Sequence, residues 1–264
     1  MDHVESDAVV LRHVRQGDTS HVVTMFARSG GKIAVLAKGS RKPGSRFGAG
    51  LDLFSLSHIR YRARANRDLV FLDLCELRTS FDRVTRDVFG YASASVCAEF
   101  VDRLVPEHAA SEEIYDLLVN ALGILADTSP LPAGEELRAV ALPVALQLRL
   151  MDVLGIAPEL TECAACRGTD LSDSVSLCAR RGGLLCARCR RAEGGRRLGQ
   201  ETLRFLRESL FGDLALVMTA PGSPSASVIL EARGVLDAVL EYHHHGRPSA
   251  LRSRKFLDDL WRKR

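Results

Sequence analysis

Residues 32–67 read KIAVLAKGSRKPGSRFGAGLDLFSLSHIRYRARANR. In this stretch Lys32, Lys38, Arg41, Lys42, Arg46, Arg60, Arg62, Arg64 and Arg67 are opposed by one acid, Asp52, a local charge of +8 in a chain whose formal net charge is +3. The rest of the chain is acidic on balance, so fixed positive charge is concentrated in one segment, which points to a polyanionic partner. Alternation at Ile33, Val35 and Ala37 predicts a strand, entered from a hairpin connection at Ser29-Gly30-Gly31. Gly39 to Arg46 is too rich in Gly, Pro and Ser for helix or strand and reads as a loop able to offer cations and N–H groups to phosphates. From Leu51 to Arg64 a strand resumes in which period-two alternation places His58, Arg60, Arg62 and Arg64 on one face and Ile59 and Tyr61 on the other. Unneutralised, the charged face cannot be core and must look outward. Three arginines alone would read as a charge-defended edge strand. Joined to the basic loop, the segment reads as a nucleic-acid surface made by Lys32, Lys38, Arg41, Lys42, Arg46, Arg60, Arg62 and Arg64. Few aromatics accompany them (Phe47, Tyr61), so phosphate contact should outweigh base stacking.

Working outward, strands are predicted at Ala8 to Val14, His21 to Arg28, Lys32 to Lys38, Leu51 to Arg62 and Leu69 to Leu77, separated by turn signals such as Gln16-Gly17-Asp18. Five antiparallel strands in so short a span fit a small barrel such as the OB-fold, a common platform for oligonucleotides; an SH3-like barrel gives a similar string. At Ser80 the period changes. Val84, Val88, Tyr91, Ala92, Val96, Phe100 and Leu104 recur at helical spacing. Ser111-Glu112-Glu113 caps a second helix, and a third runs from about Glu135 to Leu154 with Pro143 inside it. Helices are also expected at Gln200 to Phe211, Val228 to Tyr242 and Ala250 to Trp261. The fold class is multidomain α+β, divided as a barrel at 1–79, a helical domain at 80–160 and 198–264, and a cysteine-bearing insert at 161–197. At 264 residues and 46% apolar content the chain can fill two or three cores. The acidic start, without a basic and apolar leader, and the lack of a bilayer-spanning apolar run predict a cytosolic protein with no membrane partner.

Four of the seven cysteines form two pairs, Cys163-Ala164-Ala165-Cys166 and Cys186-Ala187-Arg188-Cys189, nineteen residues apart. Thiolates two residues apart bite one tetrahedral ion from a tight turn, and two such turns close a four-thiolate site with no open position, so a structural Zn2+ is predicted. The ion would clip a loop-rich insert unable to hold itself by burial. Cys178 reads as a bystander in a strand, and Cys75 and Cys97 as core. Arg180, Arg181, Arg188, Arg190, Arg191, Arg196 and Arg197 around the cysteines fit either an extension of the nucleic-acid surface or a solvating shell.

Enzymatic signatures are weak or missing. Gly39 to Gly44 resembles a nucleotide-binding P-loop only in composition, Gly48-Ala49-Gly50 lacks the third glycine of a dinucleotide site, and there is no His-Glu-x-x-His. Asp68, Asp73 and Glu76 suggest a metal-dependent nuclease, but strict alternation would place Asp73 on the opposite face from the other two. His243-His244-His245 suits the C-terminal end of a helix, whose dipole favours cations. Trp261, with Phe256, Leu257 and Leu260, reads as core packing of the last helix. No catalytic residue is predicted. The rivals are an RNA-associated OB-fold and zinc protein of the ribosome or transcription machinery and, behind it, the nuclease.

The order of motifs resembles the bacterial RecO family of recombination mediators. The resemblance is carried by Ala8-Val9-Val10-Leu11 with Gly17-Asp18-Thr19-Ser20, Gly31-Lys32 and Ala37-Lys38-Gly39, and Leu148-Arg149-Leu150-Met151 with Leu154-Gly155-Ile156-Ala157-Pro158. It continues through both cysteine pairs and the closing Arg252-Ser253-Arg254-Lys255-Phe256-Leu257. Many family members lack a full cysteine set, and this chain keeps all four. The resemblance implies an OB-fold domain, a helical domain and a zinc insert. It also implies binding of single- and double-stranded DNA, annealing of complementary strands, nucleoid association, and loading of RecA with RecR onto DNA coated by single-stranded-DNA-binding protein. The acidic C-terminal tail of that coat protein would dock on the helical domain, with Arg138 or Arg149 as the receiving cation.

Overall fold

The computed structural model describes residues 2–63, 69–171, 175–243 and 251–262. They form two compact units, Met1–Pro130 and Leu131–Arg264. The first is built on a closed barrel of β1 (Asp2–Gln16), β2 (Ser20–Ala27), β3 (Gly31–Ala37), β4 (Leu56–Ala63) and β5 (Leu69–Thr79), in the order β1-β2-β3-β5-β4. Strand β3 lies parallel to β5 and the other neighbours are antiparallel, the OB-fold arrangement. Closure depends on β1, which pairs with β4 over its first half and with β2 over its second, changing register at a bulge between Val10 and Arg12. Alternation at 8–14 reveals only the middle of this strand, since its ends carry polar residues at inward and outward positions alike.

The barrel is filled by Val10, Val23, Met25, Ile33, Val35, Ile59 and Leu72 among others. Strand β4 begins at Leu56, later than alternation predicts, because Phe47 and Leu51 turn inward on a 3-10 turn at Gly48–Leu51 and close the interior. Gly50 is required there: a Cβ on it would lie 2.9 Å from the Cys75 sulfur. A second 3-10 turn, Asp82–Arg86, leads into α1 (Val88–Leu104), capped by the Asp87 carboxylate on the Phe89 and Gly90 N–H groups. Helix α2 (Glu112–Thr128) is capped by Ser111 on the Ile114 N–H, as its sequence predicts. The change from strand to helix falls at residues 79–82 as expected. The break between compact units falls at residues 130–131, so α1 and α2 share a unit with the barrel. Arg12 reaches Asp102 on α1 at 2.9 Å, and Arg28 pairs with Asp116 on α2.

The second unit contains α3 (Glu136–Val153), buried along most of its length with Pro143 inside it, α5 (Gln200–Phe211), the single turn α6 (Leu216–Thr219), α7 (Ala226–His243) and α8 (Arg252–Arg262). Between α3 and α5 lies the insert, with β6 (Val175–Cys178), β7 (Gly183–Leu185), the short α4 (Arg190–Glu193) and β8 (Arg196–Leu198), its sheet ordered β7-β6-β8. His243 ends α7, whereas His244 and His245 lie outside the described residues.

Helix α8 is not held as its apolar residues suggest. Phe256 is exposed, and Leu260 and Trp261 are only partly covered, so Leu257 is the one member of that expected core group to be buried. The other buried side chain in α8 is Arg254, 5% exposed, whose guanidinium meets both Asp237 oxygens at 2.9 and 3.0 Å and the Gln147 amide oxygen at 3.1 Å. The Gln147 amide in turn donates to Asp237 at 3.2 Å, closing a polar clamp across α3, α7 and α8. A buried guanidinium is tolerable only while its donors are satisfied. Asp237→Ala should therefore cost about 3 kcal/mol, read by urea unfolding and by faster amide exchange in α8, while exposed Phe256→Ala should stay within about 0.5 kcal/mol.

Candidate nucleic-acid interface and metal centre

The predicted cationic row on β4 is present but already neutralised. His58, Arg60 and Arg62 point outward, with Ile59 and Tyr61 buried inside. Because β1 and β5 flank β4, they bring acids against this row from distant parts of the chain. His58 Nδ1 lies 3.0 Å from Asp7 and its Nε2 3.7 Å from Glu5, and Arg60 lies 3.4 Å from Glu5. Arg62 grips Asp73 with two nitrogens at 2.8 and 2.7 Å, and these hydrogen bonds hold the Asp73 carboxyl below the usual carboxylate range. Arg64 and Arg67, with Asp68, lie outside the described residues. A bulge in the β4–β5 register between Arg60 and Tyr61 breaks strict alternation on β5, and Glu76 pairs with outward-facing His58. Asp73 and Glu76 thus share the outer face, contrary to the alternation argument, with Asp73 committed to Arg62.

Lys32 is also not a free cation. It is 6% exposed, its ammonium is 2.5 Å from the Asp102 carbonyl and 3.1 Å from Glu107, and its own carbonyl accepts from the His108 N–H. Its charge holds the α1–α2 connection on β3. Lys32 lies beside inward-facing Ile33 on the outer face of β3, and the α1–α2 connection covers that part of the face.

The surplus charge therefore lies on the loop from Lys38 to Arg46. Lys38, Arg41, Lys42 and Arg46 are exposed, and none has a carboxylate within ion-pair distance among the described residues. The loop is anchored. The Arg41 N–H donates to the Thr19 carbonyl at 3.0 Å, its guanidinium reaches the Gly17 and Asp18 carbonyls at 3.3 and 3.0 Å, and the Gly39 N–H donates to Ser20 Oγ at 3.2 Å. Gly39 and Gly44 sit at φ +74° and +69°, which an L side chain would resist. Lys38 rides over the ring of Phe71 at 5.2 Å, and Arg46 over Phe47 at 4.9 Å.

Of the aromatics, Phe47 and Tyr61 are buried and face no solvent. Partly exposed Phe71 on β5 is the ring beside the loop cations, missed because its strand was read only for its apolar pattern. His13, Arg15 and His21 were also missed. The hairpin β1–β2 brings them to the same end as the loop, with the His13 and His21 rings 5.0 Å apart and His21 Nδ1 3.1 Å from Ser40 Oγ. Only the strand pairing reveals this, although His13-Val14-Arg15 before a Gly-Asp turn was a visible signal.

In the second unit Cys163, Cys166, Cys186 and Cys189 converge, all four sulfurs lying within 4.8 Å of one another. A tetrahedral site with metal–sulfur bonds of about 2.3 Å has sulfur–sulfur edges of roughly 3.8 Å, and Cys166 and Cys186 are 3.9 Å apart. Each pair sits on its own turn, closed by the Arg167 N–H on the Cys163 carbonyl and the Arg190 N–H on the Cys186 carbonyl. Burial pushes the Cys163 thiol up, but N–H groups of Cys186, Cys166 and Ala165 outweigh it and bring it down to about 6. Cys189 is pushed up to about 12, first by its hydrogen bond with Cys166 and then by that with Cys186. Four thiols this close cannot all ionise without a cation among them, so the donor set fits a soft divalent metal. Cys178 is buried in β6 and stands apart from the four, as expected, and Cys75 and Cys97 are core. Burial raises the Cys75 thiol to about 11.

Around the insert, Arg180 and Arg181 both pair with Glu193, and the nearby Cys166 sulfur holds the Arg188 guanidinium above its ordinary range. Arg196 lies against α7 at Gly234, where a Cβ would be 2.3 Å from the guanidinium. Arg138 donates to the Met218 and Ala220 carbonyls at 2.6 and 2.9 Å, and Arg149 to the Ser209 and Gly212 carbonyls. These two, expected as docking cations, have donors on the carbonyls at the ends of α5 and α6, since a guanidinium with several donors satisfies helix-terminal carbonyls well.

No helix among the described residues is long and apolar enough to cross a membrane. Two family models match the chain, "Recombination protein O N terminal" at residues 1–81 and "Recombination protein O C terminal" at residues 85–252. A DNA repair protein RecO of Anaeromyxobacter dehalogenans is 36% identical over 98% of both chains. Those of Syntrophotalea carbinolica and Exiguobacterium sibiricum are 35% and 31% identical, over 82% and 97% of this chain and 81% and 96% of their own. Matched by both family models over nearly its whole length, and 36% identical to a relative over 98% of both chains, the chain belongs to the RecO family of DNA repair proteins.

Proposed function

We propose that this protein is a DNA-binding recombination mediator that anneals complementary strands and, with RecR, helps load RecA onto DNA covered by single-stranded-DNA-binding protein. The observation that carries the reading is the anchored loop with four exposed cations, Lys38, Arg41, Lys42 and Arg46, none of them paired with an acid among the described residues. Annealing needs no bond chemistry. Two polyanions repel, and a fixed cationic surface that displaces counterions from both lowers the barrier to their pairing. With Asp73 held by Arg62, the outer face of β5 offers poor ligands for a nuclease metal. In this reading single- and double-stranded DNA, RecR and the acidic coat-protein tail are the partners, and the protein is not an enzyme.

The four-thiolate site has no room for a reacting ligand, so its ion is read as structural Zn2+. When bound, the ion would neutralise the thiolates and clip the two turns together.

Mixing complementary strands, bare or covered by coat protein, with the protein should speed duplex formation and leave strand length unchanged in magnesium or manganese. Shortened strands, or preference for matched RNA over DNA in competition, would sink the mediator reading. Arg41→Gln, Lys42→Gln and Arg46→Gln together should lower the salt slope of single-strand binding by about 2 and weaken it roughly tenfold or more. Arg60→Gln with Arg62→Gln should change the slope by less than about 0.5, because those charges are already spent on acids. Metal analysis of the purified chain should find one zinc per molecule, lost in Cys163→Ser together with amide protection in β6 and β7. A metal-free chain with the insert still protected would refute the assignment.

A further inference from the structure

The bulge between Val10 and Arg12 has a chemical consequence at the far end of β1. Beyond it, His13 pairs with Val23 and Arg15 with His21, while His21 pairs with Ala37 on β3. Val23 and Ala37 belong to the barrel core. Directly opposed residues share a face, so His13, Arg15 and His21 continue the inner face past the end of the core. The loop after β3 folds back to the same place, with Ser40 Oγ on His21 Nδ1 and Arg41 fixed across the Gly17, Asp18 and Thr19 carbonyls. The result is a cup at the barrel mouth walled by two imidazoles and two guanidiniums from three segments.

We propose that this cup is a phosphodiester subsite: His13, Arg15, His21 and Arg41 receive one backbone phosphate of a bound strand, and its arrival is coupled to proton uptake by the histidine pair. The proposal rests on the reading of the barrel as a DNA-binding domain. Among the described residues, the groups that bear on His21 are cationic or neutral: His13 and Arg15 from β1, and Arg41 and the Ser40 hydroxyl from the loop, with the Asp18 carbonyl accepting from Arg41. Burial, then the charges of His13, Arg41 and Arg15, hold the His21 imidazole below its ordinary range. Without an anion the cup resists a further proton, whereas a phosphate reverses that field and provides an acceptor for both rings. Serine occupies the Nδ1 side of His21, which leaves Nε2 for the ligand. The sign follows: binding gains strength as pH falls through the histidine range, and bound DNA raises the histidine titration. His58, on the outer face of the barrel, is instead faced by the carboxylates of Asp7 and Glu5.

The test is fluorescence anisotropy of a short labelled oligothymidylate on the full chain at fixed salt. From about pH 8 to about pH 6 the wild-type dissociation constant should fall roughly five- to tenfold. His13→Gln with His21→Gln should flatten that ratio to about twofold or less, weakening binding more at about pH 6 than at about pH 8. His58→Gln should keep the wild-type ratio, and Arg15→Gln should weaken binding at both pH values. A double histidine variant that binds the oligonucleotide with an undiminished pH ratio overturns the subsite and leaves the DNA-binding reading standing. No binding at either pH in low salt overturns the DNA-binding reading, and the subsite with it.

Discussion

Closure of the barrel through β1 is the constraint from which the distribution of charge follows. A strand that hydrogen-bonds β4 with one half and β2 with the other must place Glu5 and Asp7 beside Arg60 and His58, and its continuation must carry His13 and Arg15 to the opposite end. Closure therefore neutralises one cationic group and exposes another. The outer row on β4 becomes a set of cross-strand pairs of the kind that stabilises a sheet. The loop after β3, tied to the hairpin by backbone hydrogen bonds, keeps its charge for solvent or a ligand. A polyanion gains most from charges not already paired, since displacing an internal carboxylate offsets much of the gain.

The same division between charges spent on the fold and charges left over recurs elsewhere. Lys32, Arg138, Arg149 and Arg254 each direct their donors at carbonyls, carboxylates or an amide within their own unit. In each case a long side chain with a cationic head joins elements whose apolar contact alone would leave polar groups unsatisfied. The insert uses another device. With strands of three or four residues it cannot bury enough surface to hold itself, and convergence of four thiols provides a point where one metal ion can replace a core. Gly183, at which a Cβ would be 2.7 Å from the Glu159 carbonyl oxygen, permits the close backbone approach that seats the insert on the segment leading out of α3.

The amino-acid sequence by itself determined the local elements and the metal cluster. Period two marks the strands, period 3.6 the helices, Ser111 the start of α2, and the spacing of the paired cysteines the thiol site, because each depends on residues close together in the chain. It also identified where cations are dense. Which of those cations are free was decided only by the tertiary structure: Glu5, Asp7, Asp73, Asp102 and Glu107 come from other strands and from the helix connection, and no local count includes them. The same holds for the outer-face pairing of Glu76, the burial of Arg254 in place of Trp261 and the meeting of His13 with His21. Each follows from a bulge or a packing partner many residues away, and Coulomb and burial energies depend on distance in space, which sequence separation does not fix.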